Sequence, residues 1–136
     1  MSQAKNVEIA RRVFAAFERT GDLEVLREYW AEDIVWDVSR SDFPDKGIYH
    51  GVEGVREWTR GIEDAFEGLV WEFEEITDLD QDRVLVVTRL KGHGQSSKIG
   101  IDYRFPYVLT FRDGIVIRVD RYRDRAEALE AVGLKE

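Results

Sequence analysis

Cysteine is absent from this chain, which excludes disulfides, thiol chemistry and zinc sites built on thiolates. No apolar run approaches the length needed to span a bilayer, and the first residues, Met1-Ser-Gln-Ala-Lys5, lack the apolar core of a signal peptide. The expected setting is therefore the cytoplasm. Lys and Arg form no stripe. The formal net charge is −8, and acids and bases alternate throughout, so neither nucleic acid nor an anionic membrane is an expected partner. Histidine is nearly absent. His50 and His93 are the only imidazoles, far apart and without carboxylates at ligand spacing, so no metal is expected. The segment Gly92-His-Gly-Gln lacks the Lys and following helix of a phosphate loop, and no cofactor is implied.

What the chain does have is aromatic mass: four Trp, seven Phe and five Tyr in 136 residues, enough for one domain with a substantial core. From Val7 to Arg19, apolar residues at helical spacing (Val7, Ala10, Phe14 and Phe17, widened by Ile9 and Val13) predict an amphipathic helix stopped by Gly21. Asp22 is placed to cap a second, short helix carrying Leu23, Leu26 and Trp30. Ile34–Val38 reads as a strand, and Ser39 to Tyr49, around Pro44, as irregular turns. A third helix is expected over Val52–Phe66, with Val55, Trp58, Ile62 and Phe66 on one face.

Beyond Gly68 the period becomes that of strands: Val70–Ile76, Arg83–Lys91, and a long strand Ile99–Phe111, with a loose loop at 92–97. Asp124 and Glu127 form a capping-box-like start for a last helix ended by Gly133. No repeat or low-complexity linker interrupts residues 1–136, which read as a single α+β domain of order α-α-β-α-β-β-β-β-α with a curved, mostly antiparallel sheet.

The most informative stretch is Tyr107–Arg123. Asp113-Gly114 is a hairpin signal, with Tyr107, Leu109 and Phe111 on one face and Ile117 and Val119 expected to continue that row. The same period then delivers Arg121 and Arg123. Either these arginines reach an open rim and pair with carboxylates such as Asp102 or Asp124, or Arg121 faces a cavity and binds an anionic or carbonyl-bearing ligand. A buried Arg121 requires a partner in either case, because an uncompensated interior charge costs several kcal/mol. Asp102 and Arg104, on one face of their strand, are expected to make a cross-strand ion pair on the outer, dimer-facing surface.

Phe17-Glu-Arg-Thr-Gly-Asp22, Tyr29-Trp-Ala-Glu-Asp-Ile-Val-Trp36, His50-Gly-Val-Glu-Gly-Val-Arg56 and Arg112-Asp-Gly-Ile-Val116, in this order and spacing, resemble the SnoaL-like branch of the nuclear transport factor 2-like superfamily, which includes the ketosteroid isomerases. The resemblance spans essentially the whole chain. It implies a cone of helices closing a curved sheet around a central pocket, usually in a homodimer through the sheet's outer face. The family holds cyclases, isomerases, hydrolases and dehydratases beside binding proteins, so the fold does not name the chemistry.

The catalytic sets of that family do not carry over. Steroid isomerases place a carboxylate, a Tyr and an Asp where this chain has Val38, Val13 (or Phe14) and Tyr107. Limonene-type epoxide hydrolases place Tyr, Asn and Asp where it has Trp36, Val38 and Arg121. SnoaL-type cyclases also use an Asp at the place of Arg121, and a guanidinium cannot act as an acid or base near neutrality. Asp120, one residue away, belongs to the other face unless the register slips.

Two functions remain open. One is a binding protein whose pocket is lined by Trp36, Trp58, Tyr103 and Tyr107, with Arg121 and His50 contributing polar contacts to an apolar or aromatic ligand, an anionic one included. The alternative is a cyclase, isomerase or hydratase with non-standard residues: Arg121 as electrophile with Tyr107, and His50 or Asp37 as acid or base.

Overall fold

In a computed structural model, residues 3–40, 43–80 and 82–133 are described. Helix α1 runs over Gln3–Thr20 and buries Ile9, Ala10, Val13, Phe14 and Phe17 on the predicted stripe. Gly21, at φ +68°, ends it by returning its N–H to the Phe17 carbonyl at 2.7 Å. Asp22 caps the next segment by accepting from the Glu24 N–H. That segment is a 3₁₀ turn, Leu23–Tyr29, and not the expected α-helix. Trp30 is already extended and opens strand β1, Trp30–Asp37. Its bulky ring is better placed on a pleated surface, where it meets Trp36 edge-on at 6.0 Å.

The turn-rich segment after β1 contains one short strand that the sequence pattern does not predict, β2, Ile48–His50, antiparallel to β1. Three residues are too few to display a period. Helix α2, Gly51–Ala65, buries Val52, Val55, Trp58 and Ile62, and Phe66 begins the next strand instead of ending the helix. Strands β3 (Phe66–Asp78), β4 (Arg83–Gly94), β5 (Gly100–Arg112) and β6 (Ile115–Arg121) are each longer than, or shifted from, the predicted runs. The loop expected at 92–97 shrinks because β4 continues through Gly94. Register shifts at Glu67/Val70 and Phe73/Glu75 bend β3 around the helices. Gly68, at φ +65°, lies within the first shift, where a Cβ would come within 3.0 Å of the His93 ring.

The six strands form one mixed sheet, β2-β1-β6-β5-β4-β3, antiparallel except between β1 and β6. It does not close into a barrel. The Asp113-Gly114 turn has φ of +52° and +79°, the positive angles its sequence favours. A bulge between Thr110 and Phe111 then alters the expected row: Phe111 faces Val116, so Val116 and not Ile117 joins Leu109 and Val119 on the inner face. The main core lies between this face and α1 and α2. A second small cluster, Leu85, Val108, Tyr122, Ala128 and Leu129, forms where helix α3, Arg125–Ala131, covers part of the outer face. Asp124 accepts from the Glu127 N–H and Glu127 from the Arg123 N–H, so the predicted cap is formed.

Candidate functional site: an aromatic cavity and its buried ion pair

Between α1, the 3₁₀ turn, α2 and the sheet lies a cavity of about 620 Å³. All four tryptophans line it. Their rings form a chain: Trp30 to Trp36 at 6.0 Å, Trp36 to Trp58 at 5.0 Å, Trp58 to Trp71 at 6.3 Å and Trp71 to Phe17 at 5.9 Å. Aliphatic side chains from Ile62, Val86, Leu109 and Val119 complete the wall. The charged lining residues, Glu18, Asp22, Glu24, Arg56, Arg60 and Glu63, are exposed or half-buried and mark the mouth. There the Arg56 guanidinium binds Glu24 at 2.7 and 3.1 Å and holds its carboxyl below the usual range.

Away from the mouth, the polar side chains that line the cavity, Thr88, Trp36, Trp58 and Tyr107, carry no charge. Thr88 donates to the Phe105 carbonyl at 3.2 Å, and Trp58 Nε1 donates to Asp45 Oδ2 at 2.8 Å. Trp36 Nε1 and Tyr107 Oη are buried, and neither N–H nor O–H finds an acceptor among the described residues. Burial pushes the Tyr107 phenol up to about 12, against the opposing pull of the neighbouring Arg121 guanidinium. It is therefore a neutral hydroxyl at any physiological pH.

Arg121 points inward, opposite Tyr107 across β5 and β6, but it stops behind the cavity wall. It is 1% exposed. Its guanidinium holds both oxygens of Asp45, at 2.6 and 2.7 Å, donates to the Val38 carbonyl at 3.3 Å, and lies 4.5 Å over the Phe105 ring. Burial works against its charge, and Asp45 more than offsets it. Neither Asp102 nor Asp124 is its partner. Asp102 binds Arg89, Arg104 binds Glu74, and Arg123 binds Glu127, all on the exposed side.

Asp45 comes from the β1–β2 loop, where the sequence pattern predicts only irregular turns. Its backbone carbonyl accepts from the Tyr49 hydroxyl at 2.9 Å. Two residues earlier, Phe43 stacks on Phe66 at 5.3 Å and meets Tyr103 and Phe105 edge-on. The signal for this loop was Phe43 itself, an aromatic in a polar stretch, together with the need of a buried arginine for a carboxylate.

Of the side chains singled out in the sequence, Trp36, Trp58 and Tyr107 line the cavity. Tyr103 is 48% exposed against Phe43, and His50, exposed at the start of α2, borders a separate shallow depression with Arg27 and Arg56. Asp37 and Asp120 face away from the cavity on the outer side of the sheet. There burial would raise the Asp37 carboxyl, but the Ser39 hydroxyl and N–H, with Arg40 and Arg118, hold it below the usual range. Asp120 takes Arg118 at 2.9 Å and Arg40 at 3.3 Å.

Helices folded over a curved mixed sheet, with an apolar cavity between them, define the nuclear transport factor 2-like class. A protein of this class from Burkholderia xenovorans LB400 is 26% identical, matching 90% of this chain and 91% of its own with a TM-score of 0.70. TerC, crystallised with polyporic acid, is 21% identical over 93% of this chain and 96% of its own, TM-score 0.70. A ketosteroid isomerase-like protein from Catenulispora acidiphila DSM 44928, in complex with trimethylamine, is 17% identical over 93% of each chain, TM-score 0.68. Comparison with curated proteins finds no match. Residues 10–119 match the SnoaL-like domain, and the chain belongs to that family.

Proposed function

We propose that this protein binds a flat, largely apolar small molecule in the tryptophan-lined cavity, with Trp36, Trp58 and Tyr107 against it. The carrying observation is the composition of the wall: rings and aliphatic groups throughout, with every ordinary acid and base held at the mouth. A volume of about 620 Å³ falls in the range of small-molecule pockets. Two similarly folded proteins were crystallised with small molecules, polyporic acid in one and trimethylamine in the other. Arg121 serves this site from behind, by fixing Asp45 and through it Trp58.

Acid–base catalysis is the weaker reading. A general acid or base works best with a pKa near the operating pH, and the titratable group at the deep end, Tyr107, is displaced to about 12. His50 and Asp37 do not line the cavity. A homodimer through the outer sheet face belongs to the family-based reading, and a cytoplasmic location to the reading of composition. Light scattering checks the dimer.

Titration with 1,4-naphthoquinone, followed by tryptophan fluorescence, tests the proposal. Saturable one-to-one quenching with a rise in the thermal midpoint is expected. Quenching that never saturates, with no change in midpoint, overturns it.

A further inference from the structure

An aromatic wall says little about a ligand's polar end, whereas the deep end of this cavity is specific. The interior cation near it, Arg121, is matched by Asp45 through two short hydrogen bonds, and Asp45 also takes the Trp58 N–H. Two donors remain nearby on the inner sheet face. Trp36, on β1, sits opposite Val119, two residues along β6 from Arg121, which sits opposite Tyr107. Trp36 and Tyr107 are 6% and 5% exposed, and the Trp36 N–H and Tyr107 O–H find no acceptor among the described residues. The neighbouring guanidinium of Arg121 can only donate, so it cannot take the Tyr107 hydroxyl proton. A buried donor left unpaired costs its full desolvation, so a native structure that keeps two at the end of a cavity is built for an acceptor that arrives with the ligand.

Resting on the binding reading above, we infer that Trp36 Nε1 and Tyr107 Oη hydrogen-bond a neutral acceptor oxygen, such as a ketone or quinone carbonyl, and that Asp45 makes the cavity discriminate against anions by neutralising Arg121. A carboxylate placed there faces a guanidinium whose charge Asp45 already balances, with the Asp45 charge behind it. Displacing Asp45 would strand that carboxylate and the Trp58 N–H in a dry interior. A cation meets the positive ends of two donor dipoles. A neutral carbonyl accepts from both without adding charge.

One ring system separates these cases: 2-acetylnaphthalene (ketone), 2-naphthoate (anion), 2-naphthyltrimethylammonium (cation) and 2-isopropenylnaphthalene (same shape, no oxygen). Each is titrated calorimetrically into the wild type, Trp36→Phe, Tyr107→Phe and Asp45→Asn, with circular dichroism confirming the fold. The wild type is expected to bind the ketone roughly 10-fold more tightly than the hydrocarbon, the size of one or two buried hydrogen bonds. Tyr107→Phe and Trp36→Phe should each lose about 3- to 10-fold for the ketone and nothing for the hydrocarbon. Asp45→Asn should gain affinity for naphthoate.

Equal binding of ketone and hydrocarbon by the wild type, or unchanged ketone binding in both phenylalanine variants, overturns the inference while leaving the cavity a binding site. Wild-type naphthoate binding as tight as ketone binding does the same. No binding of any of the four removes the binding reading too. If Asp45→Asn does not fold, the two phenylalanine variants decide the donor assignment, and the wild-type naphthoate titration decides the charge discrimination.

Discussion

Arg121 and Asp45, 76 residues apart in the chain, close on each other through two hydrogen bonds of 2.6 and 2.7 Å with both side chains almost wholly withdrawn from water. The pair ties the β1–β2 loop to the last strand directly behind the cavity wall. Its removal by halves is costly, because one charge then stays buried without the other. Asp45→Ala and Arg121→Ala should each lower the unfolding free energy by about 3–5 kcal/mol. The combination Arg121→Met, Asp45→Leu and Trp58→Phe, which removes both charges and the N–H that serves them, should recover most of that loss. Urea titrations of the set decide it: single variants within about 1 kcal/mol of the wild type would mean that the pair is idle.

The cavity predicts an unusual tolerance. Val86 is fully buried and lines it, so Val86→Phe projects extra carbon into empty space and not into a packed neighbour. Overpacking elsewhere in a core typically costs about 1–3 kcal/mol. Here the thermal midpoint should hold or rise while affinity for naphthoquinone falls by at least about 10-fold, the expected result of occupying a ligand's volume. A midpoint several degrees lower, with ligand affinity intact, would mean that the space closes up in solution.

The parts of this fold legible in the sequence are those fixed by local periodicity. The α1 stripe, the Trp58 face of α2, the Asp113-Gly114 turn and the Asp124/Glu127 cap follow from residues within a turn or two of one another. Trp36 and Tyr107 were legible as cavity residues because strand alternation fixes a face. What escaped depends on contacts distant in the chain. A single bulge at Thr110/Phe111 exchanged Ile117 for Val116, and β2 exists only because β1 offers three residues of edge. Asp45 could not be chosen as Arg121's partner because a period says which way Arg121 points and nothing about which loop folds over it. The Arg104 and Asp102 partners escaped for a related reason. Both residues form ion pairs on the outer face, yet their partners are Glu74 on β3, two strands away, and Arg89 on β4, diagonal to Asp102.

The β5–β6 turn offers a local test of backbone strain. Asp113 and Gly114 sit at φ +52° and +79°, and an Asp tolerates the left-handed region better than a branched residue would. Gly114→Val should cost about 1–2 kcal/mol or more, and Asp113→Asn should be nearly silent. Chemical denaturation measures both. A Gly114→Val variant as stable as the wild type would show that the turn relaxes to another type, with a shift in the Tyr107–Arg121 register as the corollary.

Tyr107 makes a prediction for alkaline solution. Its phenol titrates near 10 in the unfolded chain and at about 12 in the folded one, chiefly through burial. Between those values the unfolded state has already lost the proton that the native state keeps. The stabilisation is therefore fully present below pH 10 and is lost as the pH rises through the folded value. Two units correspond to about 2–3 kcal/mol. Tyr49 and Tyr122 are also shifted upward by burial and add slopes of their own, so the informative quantity is the difference between the wild type and Tyr107→Phe. Unfolding free energy measured at closely spaced pH values should fall more steeply above pH 10 in the wild type. Phenolate absorbance should show one fewer late-titrating tyrosine in the variant. Parallel curves for the two proteins would mean that water reaches the Tyr107 hydroxyl, and the same access would weaken its role as a buried donor to a ligand.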